Sequence, residues 1–337
     1  MKLSLSQIKE ITLGAERIFE KNGAVCFSRF TEREEAIYSA EEGKRLRAVS
    51  TPGISLELKT DATGLNLGVA VREKARPYFS VEVFSDGAYI GEIKNYPDDL
   101  PNGRYPADDF PGGEFEKSFP LGSGEKRIRI VFPGTVKLEI SSVELEGASY
   151  ITPVHYDKKI LIYGDSITQG FDALSPSKVY AVRLCEYLGA EGINKAVGGA
   201  VYNPALPAAE TYDGIDCVIG AYGINNWLMN QRAEELVDNC RLFWEEICRK
   251  YPSAKKILIT PIWIRIWEDE KAMGNASELH KLIEKAVSGL PDITIINGWE
   301  LVPFDKNLYG DVTTHPNNLG FDSYFENLIL KLGFNEI

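Results

Sequence analysis

The hydrophobic period of this chain changes once, near residue 150, and that change bounds what it can fold into. Before it, apolar residues alternate with polar ones at Ile54, Leu56 and Leu58, at Ile128 and Ile130, and at Val136, Leu138 and Ile140. That is the two-residue period of a half-buried strand. Asn22-Gly23 separates residues 16–20 from 24–30, and Asp86-Gly87 separates 79–84 from 88–94. Both dipeptides favour tight hairpins. Roughly nine short strands with Gly/Pro-rich turns and little helix predict an all-β sandwich, jelly-roll-like, over residues 1–150, with its own core. From Ile160 onward, short apolar runs (160–163, 192–197, 216–222, 256–261 and 294–297) alternate with helices. The clearest helix, 233–251, puts Leu236, Cys240, Phe243, Trp244 and Ile247 on one face. Residues 151–337 are therefore expected to form a three-layer α/β domain with a five-stranded parallel sheet. Its ligand site should lie outside the strands' carboxyl ends.

A length of 337 residues suits two such domains, and 44% hydrophobic with 26% charged residues marks a globular chain. The formal net charge of −12, with no offsetting Lys/Arg cluster, argues against nucleic-acid and anionic-membrane partners. A small neutral substrate is expected. The first ten residues alternate apolar with polar and include Lys9 and Glu10, unlike a signal peptide, and no apolar run approaches the ~20 residues of a membrane span. The five cysteines are odd in number and lack metal spacing, and Cys240 and Cys248 fall on the buried side of the 233–251 helix. Free thiols in a reducing cytoplasm follow. Asn275-Ala276-Ser277 reads as a helix start. Residues 96–113, crowded with Pro, Gly and Asp, read as a long surface loop. Its Tyr96, Tyr105 and Phe110 can either stack on sugars or simply pin the loop.

The chemistry concentrates in Ile160–Gly170, ILIYGDSITQG, where a buried strand stops at Gly164 and delivers Asp165, Ser166 and helix-starting residues. Such a turn exposes Ser166 near a helix N-terminus, where developing negative charge is favoured. A serine nucleophile needs a base. Of the three histidines, His155 lies in the connector and His280 on a charged helix, both structural or solvated positions, whereas His315 sits in a loop before the last helix. Asp165, next to the nucleophile, is expected to brace the loop.

Three further segments follow at later strand ends: Asn194-Lys195-Ala196-Val197-Gly198-Gly199, Tyr222-Gly223-Ile224-Asn225-Asn226-Trp227, and Thr314-His315-Pro316-Asn317. Together with Gly164-Asp165-Ser166, these blocks resemble, in content and order, those of the SGNH (GDSL-like) hydrolase superfamily, from about Lys159 to Leu332. The resemblance implies Ser166 as nucleophile and His315 as general base. It also implies an oxyanion hole made by the backbone N–H groups of Ser166 and Gly199 and the side-chain amide of Asn225. Gly198 is a rival to Gly199 by one register; the family's Gly-x-Asn spacing from Gly223 selects Asn225 over Asn226. Two positions depart from the pattern. The family's Asp three residues before the histidine is Val312 here, with Asp311 one residue further back, so either a bulged loop brings Asp311 to the imidazole or a backbone carbonyl orients a Ser–His dyad. Asn226 stands where an Asp often follows the block's Asn.

A β-sandwich joined to an SGNH domain is similar to the layout of carbohydrate esterase family two. That similarity implies a serine esterase removing acetyl or another small acyl group from a carbohydrate, with no metal or cofactor. Trp227 and Trp263 follow strand ends and are candidates for a pocket wall. An acyltransferase using the same residues, or a catalytically impaired carbohydrate-binding protein, are the alternatives.

Overall fold

The computed structural model describes residues 1–98, 110–311 and 313–333. In the first half, two antiparallel sheets face each other. One runs in the order Arg17–Lys21, Ala24–Ser28, Val136–Glu146, Gly64–Lys74, Gly113–Pro120; the other runs Thr12–Leu13, Ser55–Thr60, Lys126–Val131, Ser80–Ser85, Ala88–Lys94. Their alternating residues meet in one apolar core, Phe27, Leu65, Leu67, Val69 and Leu138 from the first sheet against Leu56, Leu58, Val81, Val83, Ile128 and Ile130 from the second. Both hairpins form as expected, with Asn22 and Asp86 in left-handed conformation (φ 52° and 49°), as a type I′ turn requires.

The second half is an α/β domain with five parallel strands in the order Ala190–Asn194, Lys158–Gly164, Cys217–Ala221, Lys255–Ile259, Ile293–Ile296. The Lys158–Gly164 strand divides its residues between two layers. Leu161 and Tyr163 join the core under the Ala233–Lys250 and Ala276–Val287 helices, while Ile160 and Ile162 join the core under Tyr180–Leu188 and Asn318–Leu332. The first strand lies inside the sheet with the second on one side and the third on the other. The strand order therefore reverses at its carboxyl end, which is where open α/β sheets place a ligand crevice.

Several expectations are corrected. Among the described residues the first half has eleven strands rather than nine, and three helices, Leu5–Glu10, Glu32–Tyr38 and Glu42–Ala48. Two of these announce themselves by capping boxes, Ser4 with Gln7 and Thr31 with Glu34, a signal the strand-period reading passed over. The boundary at residue 150 is too early, because Ile151–Pro153 pairs with Ser55–Thr60 in the β half. It is also not clean, since Phe30, Tyr38 and Ala48 pack into the core of the α/β half. Cys248 is half-buried rather than buried, although all five thiols are free. Asn275 caps its helix as expected, accepting from the Ser277 N–H at 3.0 Å. Among the described residues no helix is long and apolar enough to cross a membrane.

Candidate active site

The strand Lys158–Gly164 ends in a turn tight enough that a Cβ on Gly164 would collide with Thr168 Oγ1, which is why glycine stands there. Asp165 caps the short helix that follows, its Oδ1 accepting the Ile167 N–H at 3.0 Å. It is buried, and burial pushes its carboxyl up to about 6 against the opposing pull of that N–H and of His315. Asp165 is thus a bracing group, as the sequence implied. The cap aims Ser166 Oγ across the sheet edge to 2.7 Å from His315 Nε2.

On the other side of the imidazole, Nδ1 lies 2.7 Å from Asp311 Oδ2. The loop bulges to allow it. Asp311 Oδ1 accepts the backbone N–H groups of Thr313 (2.9 Å), Thr314 (2.7 Å) and His315 (3.0 Å), so the extra residue of the D-x-x-x-H spacing is taken up in a turn wound around the carboxylate. Burial works to raise the Asp311 carboxyl, but the His315 hydrogen bond, its charge and these N–H groups outweigh it and hold the group well below the usual carboxylate range. The 308–317 segment closes on itself through Gly310 N–H to His315 O (2.8 Å) and Asn317 N–H to Leu308 O (2.9 Å).

A second carboxylate stands nearby, one the sequence reading missed. Asp172 Oδ2 is 3.8 Å from His315 Nδ1, and its Oδ1 accepts from Tyr78 Oη at 2.9 Å and lies 3.2 Å from Arg76 Nε. Its backbone is left-handed (φ 65°) without being glycine. Nothing in the local motif announces it, because Tyr78 and Arg76 come from the β half. Asp172, Asp311 and His315 are also a residue set able to hold a divalent cation, their ligand atoms all within 4.8 Å of one another. The 2.7 Å Nδ1 to Oδ2 separation is that of a hydrogen bond.

The loop after the second parallel strand separates its two glycines. The Gly198 N–H is taken by Gln169 Oε1 at 2.6 Å, whereas neither the Gly199 nor the Ser166 N–H has an acceptor among the described residues. Gly199 is left-handed (φ 77°). Asn225 donates one amide hydrogen to Ala200 O at 3.0 Å and keeps a second. Asn226 is wholly buried, donating to Gln231 Oε1 (2.7 Å) and accepting from Tyr202 N–H (3.4 Å), which gives the replaced Asp position its own local bonds.

Other candidates are engaged with other partners. Trp227 is 0% exposed, with its indole N–H on Gly274 O at 2.8 Å, and has no face left to wall an open pocket. Trp263 is half-buried and stacks on Trp299 at 4.0 Å, with its N–H on Trp299 O and Trp267 and Phe304 beside it. His155 is exposed; His280 is buried against Trp299, and burial pushes its pKa down to about 4. Tyr96 pins rather than stacks, donating from its buried side chain to Leu174 O at 3.2 Å. Phe110 is half-buried, and Tyr105 and Val312 lie outside the described residues.

A strand-end serine, a histidine from the last loop and free amides from the two intervening blocks define the class. Residues 162–322, within the α/β half, match the model of the GDSL-like lipase/acylhydrolase family. The two-domain layout is shared with solved structures. A salicylyl-acyltransferase from a tetracycline biosynthetic pathway superposes with TM-score 0.77 at 19% identity, covering 95% of this chain and 93% of its own. An acetyl xylan esterase from the rumen bacterium Butyrivibrio proteoclasticus gives 0.66 at 16%, covering 100% and 99%. A family two carbohydrate esterase from Clostridium thermocellum, in complex with cellohexaose, gives 0.63 at 14%, covering 96% and 99%. A search of curated proteins found no match by sequence.

Proposed function

We propose that this chain is a serine esterase that removes acetyl or another small acyl group from a carbohydrate. The observation that carries the reading is the continuous relay Ser166 Oγ, His315 Nε2, His315 Nδ1, Asp311 Oδ2, with 2.7 Å at both hydrogen bonds. In the proposed cycle His315 Nε2 accepts the Ser166 hydroxyl proton as Oγ attacks the ester carbonyl. The resulting oxyanion is met by the N–H groups of Ser166 and Gly199 and the spare amide hydrogen of Asn225. Collapse breaks the C–O bond, and His315 returns the proton to the departing sugar alcohol. Water, deprotonated by His315, then releases the acid and frees Ser166. Asp311 fixes the tautomer that leaves Nε2 free to accept, and stabilises the imidazolium.

The acetyl and carbohydrate parts draw on the likeness to carbohydrate esterases. The likeness to an acyltransferase over the same length supports a second reading in which an alcohol replaces water. Acetate release from a panel of acetylated glycans, with and without added acceptor alcohols, tests both. Ser166→Ala is expected to abolish release while folding normally, and near-wild-type turnover in that variant would overturn the mechanism. Dialysis against EDTA is expected to leave the rate unchanged. A loss restored by a divalent cation would instead assign a metal to Asp172, Asp311 and His315.

A further inference from the structure

Two arginines of the β half reach the site without taking part in the relay. The guanidinium carbons of Arg47 and Arg76 lie 5.8 and 4.6 Å from the centroid of the same ring, Phe171, which lies 5.7 Å from the His315 imidazole. Arg47 Nη1 donates to Gly198 O at 3.0 Å, and a Cβ on Gly199 would come within 2.7 Å of that nitrogen. The Arg47 head therefore lies against the glycine whose N–H faces the proposed oxyanion.

A purely structural arginine in this molecule looks different. Arg29, 1% exposed, spends its donors on five backbone carbonyls, those of Ser50, Asn194, Ala196, Arg47 and Ala48, at 2.7–3.2 Å. Arg47 has one carbonyl, and among the described residues no carboxylate within ion-pair distance. Arg76 Nε is buried and paired with Asp172, 3.2 Å from its Oδ1, while its two terminal amino groups make no hydrogen bond among the described residues. Burial first, and then the charge of Arg76, pull the Arg47 pKa below its ordinary value. Arg76 already has Asp172 as a counter-ion, whereas Arg47 has none beside that like charge, and a half-shielded guanidinium with spare donors is costly unless an anion completes it.

We propose that Arg47 and Arg76 form an anion subsite that seats a carboxylate of the substrate beside the scissile ester. The substrate class narrows accordingly, to an ester carrying a carboxylate either on the acyl chain, as in a hemisuccinate, or on the sugar, as in an acetylated uronate. This rests on the esterase reading, and a planar carboxylate suits the guanidinium fork.

Two matched pairs of esters test it. One sets 4-nitrophenyl acetate against mono(4-nitrophenyl) succinate; the other sets an acetylated methyl glucoside against the corresponding acetylated glucuronate. The wild-type protein is expected to favour the carboxylated member of one pair, and that pair locates the charge. Arg47→Gln should lower kcat/KM for that member about tenfold more than for its neutral partner, with Arg47→Lys in between. Equal losses on both members, or no preference in either pair, would overturn the subsite and leave Arg47 as a brace for the Gly198 loop. Calorimetric titration of Ser166→Ala with succinate and with glucuronate reads the subsite without turnover. Binding of either that is lost in the Ser166→Ala/Arg47→Gln double variant supports it, and no binding of either overturns it. Arg47-dependent binding in a protein that cleaves none of the esters would overturn the esterase reading while keeping the subsite. Circular dichroism and thermal unfolding of each variant guard against misfolding.

Discussion

At the residue scale, Asp311 is where one carboxylate has two duties. Oδ1 shapes the turn by accepting three backbone N–H groups, and Oδ2 meets the imidazole. Asp311→Asn keeps an oxygen for the turn but puts an amide where the ring N–H is expected, so kcat is expected to fall ~10³–10⁴-fold with folding preserved. A variant retaining a tenth or more of wild-type turnover on acetate esters would favour a Ser–His dyad. Asp165 yields a different test. Its folded pKa of about 6 lies above the ordinary 3.8, so the folded state holds the proton more tightly. Its contribution to stability is complete below 3.8 and is lost as pH rises through 6. Asp165→Asn keeps the cap acceptor without titrating. Between pH 4 and 7 the stability of this variant relative to wild type should therefore improve by about 2 kcal/mol, read from urea midpoints. A pH-independent difference would mean that Asp165 does not titrate in that range.

At the element scale, the Glu32–Tyr38 and Glu42–Ala48 helices show why part of the site was illegible in sequence. The strand ends carrying Ser166, Gly199 and Asn225 could be placed because an apolar run followed by a glycine-rich break is a local pattern. The His315 loop could be placed because only three histidines were available. Arg47, Arg76 and Asp172 have no such pattern, since what makes them neighbours is a contact between segments about a hundred residues apart in the chain. The same docking buries an ion pair. Lys195 Nζ and Glu34 Oε2 are 3.0 Å apart with both side chains 0% exposed, and Tyr212 Oη and the Thr31 N–H also bond Glu34 Oε2. Lys195→Met leaves the Glu34 carboxylate uncompensated and should destabilise the protein by about 3–5 kcal/mol in urea unfolding. Adding Glu34→Gln should recover a good part of that loss. No recovery would mean that packing of the Lys195 stem, and not its charge, matters there.

At the scale of the whole molecule, the two halves are expected to behave as one cooperative body, because Phe30, Tyr38 and Ala48 belong to the α/β core and Ile151–Pro153 to the β half. Residues 154–337 expressed alone are expected to remain unfolded or to aggregate, and the intact chain to unfold in a single calorimetric transition; two separated transitions would show the halves to be independent. Gln169 extends this to the chemistry. Its Nε2 donates to Arg47 O (3.0 Å) and Gly134 O (2.9 Å) of the β half, while its Oε1 holds the Gly198 N–H (2.6 Å) beside the proposed oxyanion hole. One amide thus fastens the nucleophile's helix to the other domain and to the next loop at once. In time rather than space, the β half must be in place before that amide can settle, so refolding protein should regain its sheet signal first and its turnover last. The lag between them would measure the docking step itself.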